Sequence, residues 1–211
     1  RILDQSKGLC GLDKMGFEAE TIKLWKEAYT SGNGIVLVTG PTGSGKTEVY
    51  LQTLSQCISS GKRGIFLVPE ISLTGDFISR LESRFPGKVG LLHSSLTAGE
   101  QYDTWWRIHS GEYDIVLGPR SAIFAPLQNI GLIIVDEEHE AAYKQTDQRP
   151  YYHARDVANK LSHLQNIPVI LGSATPDIGT YKDSLEGKFT LLKLSTRIRL
   201  SPYAVSYTHL R

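Results

Sequence analysis

Cysteine is scarce: the 211 residues hold two, Cys10 and Cys57. Two cysteines cannot build a disulfide framework or a Cys-only zinc site, so a reducing compartment, the cytoplasm, is the expectation. Neither has a Cys or His neighbour at metal-ligand spacing, and neither is expected to bind metal. Long apolar runs are lacking as well. None approaches the ~20 residues that cross a bilayer, and Arg1-Ile2-Leu3-Asp4 does not open the apolar core of a signal peptide. No membrane partner is expected. There is also no excess of one charge, with 23 Lys+Arg against 22 Asp+Glu. A nucleic-acid partner therefore has to be argued from local residues. Internal repeats and low-complexity stretches are absent. What remains, 40% hydrophobic and 21% charged, suits one large domain with a full core, or a domain plus a fragment of another.

Short runs rich in Val, Ile and Leu recur at Gly34-Thr39, Gly64-Val68, Lys88-Leu92, Asp114-Leu117, Leu132-Val135 and Pro168-Leu171, with a weaker one at Phe189-Leu194. Continuous apolar strands of this kind fit a parallel sheet covered on both faces. Between them, Thr47-Ser60, Leu73-Arg84, Thr97-Ser110 and Ala154-Leu164 have helical spacing; the first places Val49, Leu51, Leu54 and Ile58 largely on one side. The alternation predicts an α/β domain: a mostly parallel sheet of about seven strands with helices on both faces. Residues 1–16 read as a linker or the end of an upstream domain, and Phe17-Tyr29 reads as a helix. Residues 17–199 read as one lobe, and residues 200–211 as a disordered or non-native tail.

The strongest motif is Gly40-Pro41-Thr42-Gly43-Ser44-Gly45-Lys46-Thr47, which matches G-x-x-x-x-G-K-[ST] in full between a strand and a helix. Its glycines let backbone N–H groups turn toward phosphates, and the helix N-terminus adds a favourable dipole. Lys46 is expected to neutralise β/γ-phosphate charge and Thr47 to offer its hydroxyl to Mg²⁺. The second motif, Asp136-Glu137-Glu138-His139, follows the apolar run Leu132-Val135. An acid at the end of a parallel strand lies beside the phosphate loop, so Asp136 is expected to hold the metal and Glu137 to polarise water. The third, Gly172-Ser173-Ala174-Thr175-Pro176, is weak alone and gains meaning from its order after the other two. The acid pair, the S-A-T triplet and the lack of an N-K-x-D segment count against a kinase or a GTPase.

The three motifs in this order resemble the first motor lobe of a superfamily 2 helicase. Gly45-Lys46-Thr47-Glu48-Val49-Tyr50, Val68-Pro69-Glu70-Ile71-Ser72-Leu73-Thr74, Arg120-Ser121-Ala122-Ile123-Phe124-Ala125-Pro126, Tyr143-Lys144-Gln145 and Tyr152-His153-Ala154-Arg155-Asp156 narrow the resemblance to the primosomal replication-restart helicases of the PriA type. It covers about residues 34–197. The resemblance implies a RecA-like fold, ATP and Mg²⁺ as cofactors, and 3′-to-5′ movement on forked or single-stranded DNA. It also implies primosome and single-strand-binding proteins as partners. Zinc is implied for a full-length member, with no zinc site in this chain. Lys46, Asp136 and Glu137 would carry catalysis. Glu138, His139, Ser173, Ala174 and Thr175 would couple hydrolysis to movement. Glu70, Thr74, Arg120, Ser121, Lys144, Tyr151, Tyr152 and Arg155 would face DNA, the tyrosines because bases stack on rings flanked by cations. A rival from another class is a nucleic-acid-binding module of a different superfamily 2 ATPase, without turnover of its own. The second lobe and its arginine finger are not among these residues, so the chain alone is expected to be nearly inactive. Trp105-Trp106, with Tyr102 and Ile108, is expected in the core. His93 receives no role, and His109 and His163 read as helix-surface residues.

Overall fold

The computed structural model describes residues 22, 23, 25–27 and 34–195. The expected linker at 1–16, the tail at 200–211 and Cys10 lie outside them. Of the Phe17-Tyr29 helix, the five described residues are helical, and Trp25 is buried with its indole N–H donated to Thr53 Oγ1 at 3.1 Å.

The sheet strands are β1 (Gly34–Thr39), β2 (Arg63–Leu67), β3 (Val89–Leu91), β4 (Ile115–Gly118), β5 (Ile130–Val135), β8 (Pro168–Ser173) and β9 (Thr190–Lys193). They form a seven-stranded sheet in the order β3-β4-β2-β5-β8-β1-β9, and every pairing is parallel. The helices are α1 (Lys46–Ser59), α2 (Gly75–Arg84), α3 (Ala98–His109), α4 (Ala154–Gln165) and α5 (Ile178–Leu185). Because strand side chains alternate between faces, Val36, Val38, Phe66 and Ile134 join Leu51 and Leu54 of α1 and Leu81 of α2 in one core layer. Ile35, Leu37, Ile65 and Ile133 join Ile108 of α3 and Ala154 and Ala158 of α4 in the other. Both faces are thus covered, as the continuous apolar runs require. The α/β fold of the sequence reading is the observed one.

Element ends moved by at most two residues. The helix expected from Leu73 begins at Gly75, because Thr74 caps it by accepting from Phe77 N–H and a 3-10 turn occupies Glu70–Ser72. Helix α5, eight residues capped by Asp177, has too short a period to be read from sequence. The same holds for the two-residue strands β6 (Lys144–Gln145) and β7 (Tyr152–His153), which pair antiparallel.

One core expectation is corrected. Trp105 and Trp106 are 42% and 47% exposed and Tyr102 is 63% exposed, whereas Ile108 is fully buried. Ile108 is the one buried residue of α3, so only a narrow stripe of this helix is covered. The rings pack on one another instead, Trp105 stacked on His109 at 5.4 Å and edge-on to Trp106 at 5.3 Å. Cys57 is a buried thiol, pushed up to about 11 by burial, which makes it unreactive. No described helix is long and apolar enough to cross a membrane.

Candidate nucleotide-binding site

Strands β1, β5 and β8 are neighbours, so the segments leaving their C-terminal ends converge. After β1 the chain turns through 40–45 into α1. Gly43 and Gly45 have φ of 83° and 94°, a left-handed backbone that a side chain would strain. Gly40 is needed for a different reason: a Cβ there would lie 2.6 Å from Ser44 Oγ and 2.7 Å from the Leu194 carbonyl. Lys46 Nζ donates to the Gly40 carbonyl at 2.7 Å, folding the ammonium back over the loop. The Ser44 hydroxyl is buried and has no hydrogen-bond partner among the described residues. A buried orphan hydroxyl in a glycine-lined turn at a helix N-terminus fits a phosphate group, which supplies both negative charge and acceptors.

Asp136 follows β5, its N–H bonded to the Leu67 carbonyl at 2.9 Å. Its carboxylate Oδ1 accepts the Tyr50 hydroxyl and the Glu137 N–H, both at 3.0 Å. Burial, then the neighbouring Glu137 charge, raises the Asp136 carboxyl from its ordinary 3.8 to about 6. A buried acid pushed up in this way suits a cation. Among the described residues no cluster of three or more His, Cys, Asp or Glu could hold a metal by itself. A Mg²⁺ that arrives with a nucleotide keeps phosphate and water ligands and asks for few from the protein, a demand that a hard oxygen donor such as the Asp136 carboxylate meets. Glu137 adopts φ of 47°, a strained backbone for a residue with a side chain, at the turn that presents it to the site.

The S-A-T segment leaves β8 beside this box. The Ser173 hydroxyl lies 2.8 Å from His139 Nδ1 and receives the Thr175 N–H at 2.9 Å, while Thr175 Oγ1 is 3.4 Å from His139 Nε2. His139, Ser173 and Thr175 are thus brought together. Ala174 is exposed between them. Glu138 points the other way and is fully buried. It accepts from Arg155 at 2.6 Å, from the Thr180 hydroxyl at 3.1 Å and from the Asp177 N–H at 2.7 Å. This corrects the expectation for Arg155: its side chain is 17% exposed and its guanidinium neutralises Glu138 and reaches Asp177 at 3.5 Å, so it does not present a free cation to DNA. A buried carboxylate demands such a partner.

Of the other expected DNA-facing residues, Glu70, Arg120 and Ser121 line one cleft of about 730 Å³ together with Tyr102, Trp105 and Gln145. Arg120 donates to the carbonyls of Ala142 and Lys144, tying the cleft to the tyrosine loop. Thr74 is exposed at the start of α2 and Lys144 is exposed on β6. Tyr151 is 64% exposed with the Arg149 guanidinium 6.0 Å from its ring centre, whereas Tyr152 packs edge-on against Phe124 at 5.0 Å.

Sequence reasoning assigned no role to Tyr50 or Gly172. Tyr50 is fully buried, and Tyr143 donates its hydroxyl to the Asp136 carbonyl at 2.6 Å. A Cβ on Gly172 would fall 1.6 Å from the Tyr50 hydroxyl, so only glycine admits the ring. Both Tyr50 and Gly172 lie inside recognised motifs; what no motif conveys is that they touch.

Fold and site together define a helicase motor lobe, and residues 19–184 match the DEAD/DEAH box helicase family, to which the chain belongs. It is similar to the replication restart protein PriA of Bacillus subtilis (strain 168), 49% identical over 164 residues, covering 78% of this chain and 20% of that protein. The PriA of Chlamydia pneumoniae is 47% identical over 175 residues, covering 83% and 23%. The resemblance drawn from the motifs is thus borne out, and the chain spans about a fifth of the length of these relatives. Among solved structures, the helicase MrfA bound to DNA superposes with a TM-score of 0.59 at 19% identity, covering 93% of this chain and 30% of that one. RecG bound to a three-way DNA junction gives 0.55 at 20% identity, covering 87% and 26%. At such identities these two speak for the fold alone.

Proposed function

We propose that residues 17–199 are the ATP-binding first lobe of a PriA-like 3′-to-5′ DNA helicase that acts in replication restart and primosome assembly. The observation that carries this reading is the convergence of phosphate loop, acid pair and S-A-T segment at adjacent ends of β1, β5 and β8. Lys46 leaves the Gly40 carbonyl to meet β/γ-phosphate charge, with the Ser44 hydroxyl and loop N–H groups as further donors. Thr47 and Asp136 hold Mg²⁺, which neutralises phosphate charge when bound. Glu137 orients the attacking water and accepts its proton. His139 reports the state of the acid pair to Ser173 and Thr175 through its ring nitrogens, and Ala174 gives the turn between them no bulk. Forked or single-stranded DNA lies along Glu70, Thr74, Arg120 and Ser121, with Lys144 and Tyr151 at its edge. Primosome and single-strand-binding proteins are the partners of the longer protein.

The described site offers the phosphates one cationic side chain, Lys46. An arginine from a second lobe is worth about 10³–10⁵ in rate where such fingers act. The chain by itself therefore binds Mg·ATP and turns it over at a near-background rate. Calorimetry with ATP, with GTP as competitor, and steady-state ATPase with forked DNA test this. Lys46→Ala should weaken Mg·ATP binding by about 2–3 kcal/mol, as loss of a charge-assisted contact does. Unchanged binding overturns the phosphate-loop reading, and robust DNA-stimulated turnover by the monomer overturns the need for a second lobe.

A further inference from the structure

We propose that Tyr50 is a positioning residue for the metal-bearing nucleotide, acting through Asp136. The inference rests on the phosphate-loop reading and adds to it a residue that none of the three motifs requires. Tyr50 sits on α1 one turn after Lys46 and Thr47. Its ring is fully buried, edge-on to Phe66 with centroids 5.7 Å apart, and its hydroxyl reaches 3.0 Å across to Asp136 Oδ1. The same oxygen accepts the Glu137 N–H. Two donors on Oδ1 occupy both of its lone-pair directions, which leaves Oδ2 as the oxygen for a cation.

The consequence is mechanical. Thr47 and Asp136 are the two side chains expected to share Mg²⁺, yet one opens a helix and the other ends a strand 89 residues away. A part-buried hydrogen bond from Tyr50 ties that helix to that strand end. Gly172 makes the tie possible, since any Cβ there would occupy the space of the phenol oxygen. Tyr143 fixes the other side of Asp136 by donating to its main-chain carbonyl at 2.6 Å. The carboxylate is thus held at its side chain and at its backbone by two buried phenols, as groups behind a metal ligand orient it in metalloproteins.

Tyr50→Phe removes only the hydroxyl and keeps the ring, so the core packing stays. The experiment titrates a fluorescent ATP analogue against the 211-residue chain with varied Mg²⁺ and, separately, in EDTA. Tyr50→Phe is expected to raise the Mg²⁺ concentration for half-maximal tight binding about tenfold, in line with losses on removing such supporting groups. Affinity in EDTA should remain within about twofold, which also shows that the variant is folded. In an Asp136→Asn background the Tyr50→Phe change should have no further effect, because the tyrosine acts through that carboxylate. An unchanged Mg²⁺ dependence, or an equal loss in EDTA, overturns the proposal while leaving the phosphate loop standing. Absence of nucleotide binding by the parent chain in both conditions overturns the phosphate-loop reading and this proposal with it.

Discussion

Gly172→Ala is the smallest change that should disrupt the centre of this lobe. The added Cβ would lie 1.6 Å from the Tyr50 hydroxyl and 2.6 Å from the ring carbon that bears it, where real Cβ atoms stay beyond 3.0 Å. The phenol oxygen must therefore retreat by about 1.4 Å, the difference between the 3.0 Å and 1.6 Å distances. It has nowhere to go: Tyr50 is fully buried and its ring abuts Phe66. Overpacking of a filled core costs about 1–3 kcal/mol. Displacing the hydroxyl also breaks its bond to the Asp136 carboxylate, and bonds to charged groups contribute about 1.5–3 kcal/mol. A total loss of about 3–5 kcal/mol is expected, a large share of a typical domain's stability. Urea unfolding followed by circular dichroism measures it. Tyr50→Leu in the same background should recover part of the loss by vacating the contested space, a coupling that independent sites would not show. A cost under about 1 kcal/mol for Gly172→Ala, or simple additivity with Tyr50→Leu, would refute the packing argument.

Arg155→Ala should destabilise the chain by about 3–5 kcal/mol, because it strands the fully buried Glu138 carboxylate; Glu138→Gln added to it should restore much of the loss, and a cost no larger than a surface substitution in urea titrations would contradict the pairing. Asp136→Asn should stabilise the nucleotide-free chain in a pH-dependent way. The wild-type carboxyl is raised from 3.8 to about 6, so the folded state binds the extra proton in that window and stability from this group falls as pH rises through it. The advantage of Asn should be absent below about pH 4 and reach about 3 kcal/mol above about pH 7, at 1.36 kcal/mol per pK unit; a pH-independent advantage in urea titrations refutes it. Tyr151→Ala should weaken single-stranded DNA binding by about 1–3 kcal/mol in anisotropy titrations without affecting thermal stability. Tyr152→Ala, which removes an edge contact to Phe124, should lower the melting temperature, and the reverse pattern would show that the exposed and packed tyrosines had been confused.

Much of this lobe was legible before any coordinates. Apolar strand runs and helical periods located the seven strands and four of the helices, because a sheet buried on both faces leaves a continuous hydrophobic record in the chain. The phosphate loop and the acid pair were legible because their chemistry needs glycines, a lysine and carboxylates at fixed offsets along one local turn. Contacts across the sheet leave no such record. That Arg155 serves a buried carboxylate rather than an open surface follows from Glu138 turning inward, a direction no spacing encodes. The aromatic face of α3 was misread for a related reason. Residue type predicts burial only on average, and here Ile108 is the one α3 side chain the sheet buries, so the tryptophans stay half exposed. Tyr50 and Gly172, 122 positions apart, meet because β8 lies beside both β1 and β5 in the sheet. The local residues determined what chemistry this chain carries; strand order decided which side chains hold that chemistry in place.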